Sequence, residues 1–269
     1  MNTIVSISGG RTSSYMAIKM KEQADKMGGK LHFVFANTSS EHPKTYEFLQ
    51  RIDEKYSLGI QLVEAVINPT KGVGTGFRVA SGYDDLKKNN ELYEEFIAKY
   101  GIPNVAFPAC TRELKAVPLR KYARSFFGED YQYAIGIRAD EEKRRSAKAE
   151  KDKLIYPMLD MFKTDKQDIE AFFDSHDFDL DIPNYLGNCV FCFKKGFNRL
   201  AKAHDLHPEY FHFTDRMEEN YGQTNNATGH SARVFFRGNN STKSMIANFK
   251  EFTNINQRLL DCESGCEAF

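Results

Sequence analysis

Two hydrophobic periods alternate from the start of the chain. Residues 3–8 (TIVSIS) form a short run apolar enough to be buried on both faces, which predicts a strand. Residues 13–27 then space Tyr15, Met16, Ile18, Met20 and Met27 among polar positions, which predicts a helix. The alternation repeats: a strand over 31–36, a helix over 44–56 carried by Tyr46, Phe48, Leu49 and Ile52, and a third strand over 60–66. Strands that are apolar throughout, separated by helices, predict an α/β fold, a Rossmann-like doubly wound parallel sheet covered on both faces. Residues 131–137 (YQYAIGI) supply a later strand, and 91–100 and 111–127 read as helices.

Other stretches break the pattern. Residues 71–82 (KGVGTGFRVASG) are glycine-rich and fit either a flap over an anion or a plain connector. Residues 138–153 are dense in charge and predict a solvated loop. From Asn184 onward the texture turns aromatic and cysteine-bearing, which predicts a helical lobe over 184–269 beside a sheet domain over 1–183.

Charge changes the picture only locally. The 269 residues carry 37 basic and 37 acidic side chains, so no global field draws in nucleic acid or membrane, and any polyanion site must be a patch. Nucleic acid is therefore not a favoured partner, although Lys87, Lys88, Arg120, Lys121 and Arg124 could form such a patch. No run approaches about 18 apolar residues and no basic-then-apolar leader opens the chain, so a cytoplasmic protein is expected. Five cysteines, an odd number, point to thiol or metal chemistry in a reducing compartment.

The first candidate site is Ser8-Gly9-Gly10-Arg11-Thr12-Ser13-Ser14, a loop leaving a strand and entering a helix. Its backbone N–H groups would lie at the positive end of the helix dipole, glycines would admit an anion, and the hydroxyls would donate to it. With no lysine it is not a Walker loop.

SGGRTSS resembles the PP-loop of the adenine-nucleotide pyrophosphatase and phosphoadenosine-phosphosulfate (PAPS) reductase superfamily. Residues 35–49 (FANTSSEHPKTYEFL) are similar to its second-strand signature, which brings in Asn37 and Thr38. Residues 135–145 (IGIRADEEKRR) resemble its anion-binding segment, with Gly136, Arg138, Arg144 and Arg145. Residues 155–169 resemble a further stretch, with Phe162 where tryptophan is usual. The resemblance implies a five-stranded parallel sheet binding an adenine nucleotide, either ATP or a sulfonucleotide (PAPS or its relative without the 3′-phosphate, APS). Thr12 replaces an acid that the resemblance assigns to magnesium, and Asn37 stands where many relatives carry Asp; both disfavour ATP cleavage.

Cys189 and Cys192 in GNCVFCFKKG have the spacing at which two thiolates grip a metal or cluster. Cys110 in PACTRELKAVPL matches, in register with Lys115, the family's cluster-binding segment, where Thr111 replaces a second cysteine. The resemblance thus implies three thiolate ligands, for a 4Fe-4S cluster or for zinc completed by His204 or His207. Cys262 and Cys266, in DCESGCEAF, are candidate nucleophile and resolving thiol on a flexible tail, with a thioredoxin-like electron donor as partner. Three readings follow: a PAPS reductase-like enzyme with Lys115 in its catalytic set, a PP-loop ATP-dependent sulfur transferase, or a nucleotide-sequestering protein. The motif combination looks like a phage-encoded branch, which would act in the host cytoplasm, and it is compatible with a homo-oligomer.

Overall fold

The computed structural model describes residues 1–24, 29–226 and 228–249. Its framework is a six-stranded sheet in the order β4-β3-β2-β1-β5-β6. The strands are β1 (Asn2–Ile7), β2 (Lys30–Asn37), β3 (Gln61–Val66), β4 (Gly76–Ala80), β5 (Tyr131–Ala134) and β6 (Leu154–Ile155). All neighbours pair in parallel except β3 and β4.

Parallel strands need crossovers, and the helices supply them. Helix α1 (Arg11–Glu22) follows β1 and α2 (Pro43–Tyr56) follows β2. Their apolar stripes, including Met16, Ala17, Met20, Phe48, Leu49 and Ile52, pack against Val5, Ile7, Phe33 and Phe35 in the larger core. Helix α3 (Glu91–Tyr100) belongs to that core too. The opposite sheet face, with Ile4, Val34, Val63 and Tyr133, is covered by Leu119, Tyr122 and Ala123 of a long helix. That helix runs through α4 (Ala109–Thr111), a wider π-type turn over Arg112–Ala116, and α5 (Val117–Phe127).

Two parts of the sheet depart from expectation. The glycine-rich stretch over 71–82 is neither flap nor simple connector: its Gly76–Ala80 half pairs antiparallel with β3 as an edge strand. Arg78 anchors it from that strand, its guanidinium 2.5 Å from the fully buried Glu64 and 3.1 Å from Asp85. The charged 138–153 segment contains a tight 3-10 turn over Ala139–Arg144, then leads into β6. The sheet therefore has six strands where the family resemblance implied five.

Beyond β6 come α6 (Pro157–Asp160) and α7 (Lys166–Asp174). A reciprocal cap starts α7: the Asp165 carboxylate accepts from the Gln167 and Asp168 N–H groups, and Asp168 accepts from Asp165 N–H at 2.8 Å. The chain then forms α8 (Phe197–Leu206), α9 (Glu209–Tyr221) and α10 (Thr242–Ala247). Phe191, Phe211, Phe213, Phe235 and Phe236 join these elements to the larger core. Among the described residues no helix is long and apolar enough to cross a membrane.

Candidate active site

Strand β1 is followed in space by β2 on one side and by β5 on the other, so connections leaving the carboxyl ends of β1 and β5 part in opposite directions. Such a switch point opens a crevice. Here it is lined by Ser6 and Ile7 from β1, Ser8 from the loop after it, Ala36 from β2, and Ile135 and Gly136 beyond β5, with Ser13 and the buried Lys115.

Local chemistry shapes the loop above it. Gly9 has φ +80°, and a Cβ there would lie 2.4 Å from Thr45 Cγ2, so only glycine lets the loop turn against α2. The Ser13 hydroxyl accepts from Ser8 N–H at 3.0 Å, lies 3.0 Å from Ser8 Oγ and donates to the Gly10 carbonyl at 3.2 Å. Gly136 completes the fit, because a Cβ on it would stand 3.2 Å from Ser13 Cα. Helix α1 begins at Arg11 with no side-chain cap and no acid in its first turn, which leaves its positive end to an anion.

Outside the loop lies a cavity of about 260 Å³. Ser8, Gly10, Arg11 and Thr12 line it with Arg138, Glu141 and Arg144, with Lys166, Ile169 and Glu170 of α7, and with Lys195 and Arg199. Leu180, Ile182, Pro183, Asn184, Gly187 and Asn188 close the remaining wall. Six basic side chains thus face two acidic ones, a local patch in a chain without net charge.

Carboxylates hold several of these cations. Arg11 makes a two-pronged pair with Asp179, which raises its pKa, and Arg138 makes another with Asp140 at 2.9 Å for both bonds. The Arg138 bond holds the Asp140 carboxyl below its ordinary value. Glu141 stands between Arg138 and Arg144, at 3.6 and 2.7 Å.

Not every residue singled out from the sequence reaches the cavity. Arg145 pairs with Asp160 and lies 5.0 Å from the Tyr156 ring centre, away from the lining. Ser14 is fully buried, and neither it nor Gly9 lines the cavity. Asn37 donates to Glu64 at 2.5 Å and to the Lys87 carbonyl at 2.7 Å, and its Oδ1 accepts from Ser39 N–H. Thr38 donates to Glu41 at 2.7 Å. Both therefore belong to a buried network beside the cysteines.

Cys110, Cys189 and Cys192 are all buried thiols. They come from α4 and from the turn before α8, and they meet around the buried Tyr93 hydroxyl. Burial first, then charge on Cys110 and Cys189, drives the Tyr93 pKa well above its ordinary value. Thr38 Oγ1 lies 3.5 Å from Cys189 Sγ, and Glu41 bridges Cys189 through the backbone. Sequence reasoning missed Tyr93, which sits in no motif, and Glu41, which lies within the 35–49 signature stretch. Lys195, Lys166 and Arg199 were missed as well, although Lys195 belongs to the same GNCVFCFKKG stretch as the cysteine pair.

Among the described residues no group of three or more His, Cys, Asp and Glu side chains could hold a metal ion. His204 packs against Phe211 and Phe249, and His207 is 3.0 Å from Glu209. Thiols are soft donors of the kind that iron-sulfur clusters use, but Cys110, Cys189 and Cys192 do not make up such a metal-holding group here. Cys262 and Cys266 lie outside the described residues.

A mostly parallel α/β sheet with a glycine-bearing loop that opens a helix at its switch point defines the class: a nucleotide-type binding domain. A family model described as "Phosphoadenosine phosphosulfate reductase domain" matches residues 2–165, and the chain belongs to that family. It is 37% identical over 206 residues to the "Uncharacterized nin region protein ORF290" of Escherichia phage lambda, across 76% of this chain and 69% of that one. The crystal structure of phosphoadenylyl-sulfate (PAPS) reductase from Candida auris, a phosphate complex, is 15% identical. It covers 65% of this chain and 72% of its own, with a TM-score of 0.38, too loose a likeness to bear on residue roles.

Proposed function

We propose that the cavity binds an adenosine phosphosulfate or a closely related adenine nucleotide, and that the chain is a sulfonucleotide reductase-like enzyme. The observation that carries this reading is a single cavity lined by the β1–α1 loop, Arg138 and Arg144, whose opposite wall continues into the turn bearing Cys189 and Cys192. Ile169, Leu180, Ile182 and Pro183 offer an apolar wall for a planar base, while the helix N-terminus and the guanidinium forks suit phosphate or sulfate oxygens. Ser8, Gly10, Arg11 and Thr12 would hold one anionic group from the loop side, and Arg138 and Arg144 another.

Lys115, buried in the recess beneath the loop and five residues after Cys110, would stabilise negative charge developing between nucleotide and thiols. Cys110, Cys189 and Cys192 would hold an iron-sulfur cluster, which when bound supplies redox capacity beside the substrate sulfur. Residues 184–269 would act as the cysteine-bearing lobe, with Cys262 and Cys266 as thiols exchanging with a thioredoxin-like donor.

The test is sulfite release from PAPS by anaerobically prepared, iron-loaded protein supplied with a dithiol donor. Release that depends on Cys110, Cys189 and Cys192 is the expected result. A spectrum and iron analysis without cluster, together with no sulfite, would sink the reading. Cys262→Ser and Cys266→Ser variants then show whether the tail takes part.

A further inference from the structure

The long helix that carries Cys110 also carries a proline in its interior. Pro118 is buried, and the helix runs on through it from Ala109 to Phe127. An internal proline lacks the N–H that would bond to the carbonyl four residues back, and its ring collides with that carbonyl, here the one of Leu114. The helix meets the obstruction by widening just before it. Val117 N–H bonds to the Arg112 carbonyl, five residues back, where an α-helix would use Glu113.

The wide turn, Arg112–Ala116, is where this helix meets the site. Its three central residues are buried toward three different surroundings: Leu114 joins the larger core, Glu113 accepts a hydrogen bond from Thr75 Oγ1, and Lys115 lines the recess with Ser8, Ser13 and Gly136. Each residue of an α-helix is rotated by about 100° from the last, so one extra residue in a turn redirects its side chains by that amount. We propose that Pro118 is a positioning residue for Lys115: by enforcing the wide turn it aims the lysine into the recess beneath the β1–α1 loop, while the helix on either side stays docked. An ammonium has three donors, so a protein partner and a ligand oxygen can share it. The proposal rests on the reading of Lys115 given above, but not on reductase activity.

Calorimetry with inorganic pyrophosphate on the full chain tests it, because binding needs neither cluster nor turnover. Lys115→Met should weaken pyrophosphate by about tenfold, the loss of one charge-assisted contact. Pro118→Ala should weaken it by about fivefold without lowering the unfolding midpoint, since alanine is the better helix residue. The double variant should bind within about twofold of Lys115→Met alone, because a residue that acts through Lys115 has nothing left to position. Pro118→Val, which restores the N–H while refilling more of the buried volume, should lose as much as Pro118→Ala. Losses that multiply in the double variant, or full affinity in either Pro118 variant, overturn the role of Pro118 alone. No effect of Lys115→Met overturns the reading of Lys115 and this proposal with it.

Discussion

The anion cradle and the thiol cluster lie on neighbouring sides of the same strand ends, yet they are built in opposite ways. Consecutive residues, Ser8 to Ser13, make the cradle, and their own hydrogen bonds fix its shape. The thiol cluster draws Cys110 from α4, Cys189 and Cys192 from the turn before α8, Tyr93 from α3 and Glu41 from the loop after β2. A cradle of the first kind survives wherever strand and helix survive. A cluster of the second kind exists only when distant segments dock, so its chemistry can be lost while nucleotide binding persists.

The sharpest way to break the cradle is Gly9→Ala. Its left-handed φ and the 2.4 Å approach to Thr45 combine backbone strain with overpacking, at roughly 2–5 kcal/mol. Denaturant unfolding should show a midpoint shift of that size; an unshifted midpoint would mean the loop does not depend on its contact with α2.

Arg138→Met addresses binding without disturbing the loop. Losing one charge-assisted contact of about 1.5–3 kcal/mol should weaken adenosine 3′,5′-bisphosphate on the order of 10–100-fold in calorimetry. The same change at Arg145, which is held by Asp160 outside the cavity, should leave affinity within about twofold. Equal losses at both positions would place the ligand elsewhere.

On the thiol side, Tyr93→Phe keeps the ring that packs 5.4 Å from Phe191 and removes only the hydroxyl. It should cost about 1 kcal/mol of stability and leave nucleotide affinity unchanged. A shift in affinity would show that the two regions are coupled.

How far each region was legible follows from the same contrast. SGGRTSS could be read because strand, turn and helix start are encoded within one short stretch, and β1, α1, β2, α2 and β3 followed from periodicity. Edge strand β4 was hidden: its glycines look like a loop, and what makes Gly76–Ala80 a strand is pairing with β3 and the tie from Arg78 to buried Glu64. Asn37 reads from its motif as a ligand residue, but its amide is turned toward Glu64 by a contact 27 residues away in sequence. The grouping of the cysteines came from resemblance, while Tyr93 carries no local signal and Glu41, though inside the 35–49 signature, shows its link to Cys189 only when the chain is folded.

Glu141→Gln sharpens the account of the cavity itself. Glu141 sits between Arg138 and Arg144, where it competes with any incoming anion for both guanidiniums. Neutralising it should tighten adenosine 3′,5′-bisphosphate by about threefold, the scale of a partly screened ion pair. Weaker binding would instead mean that the carboxylate orients the two arginines for the ligand.

The smallest effect belongs to the outer edge of the thiol region, where α2 begins. His42 caps that helix by accepting from Lys44 N–H at 3.2 Å, and its ring lies 5.7 Å from His207. Burial first, then His207 and Lys44, hold its pKa below the usual histidine value, with Glu47 pulling the other way. The unfolded chain therefore takes up a proton that the folded chain resists. Stability from this site is full above the unfolded pKa of about 6.5 and declines as pH falls toward the lower folded value. Because the ring is only partly buried, the loss should be modest. His42→Asn keeps a side-chain acceptor at the cap and removes the titration, so its Tm should fall less than that of the unmodified protein between about pH 7.5 and about pH 5.5. Equal falls would assign the acid sensitivity to other groups and leave the junction between α2 and the cysteine-bearing segment indifferent to pH.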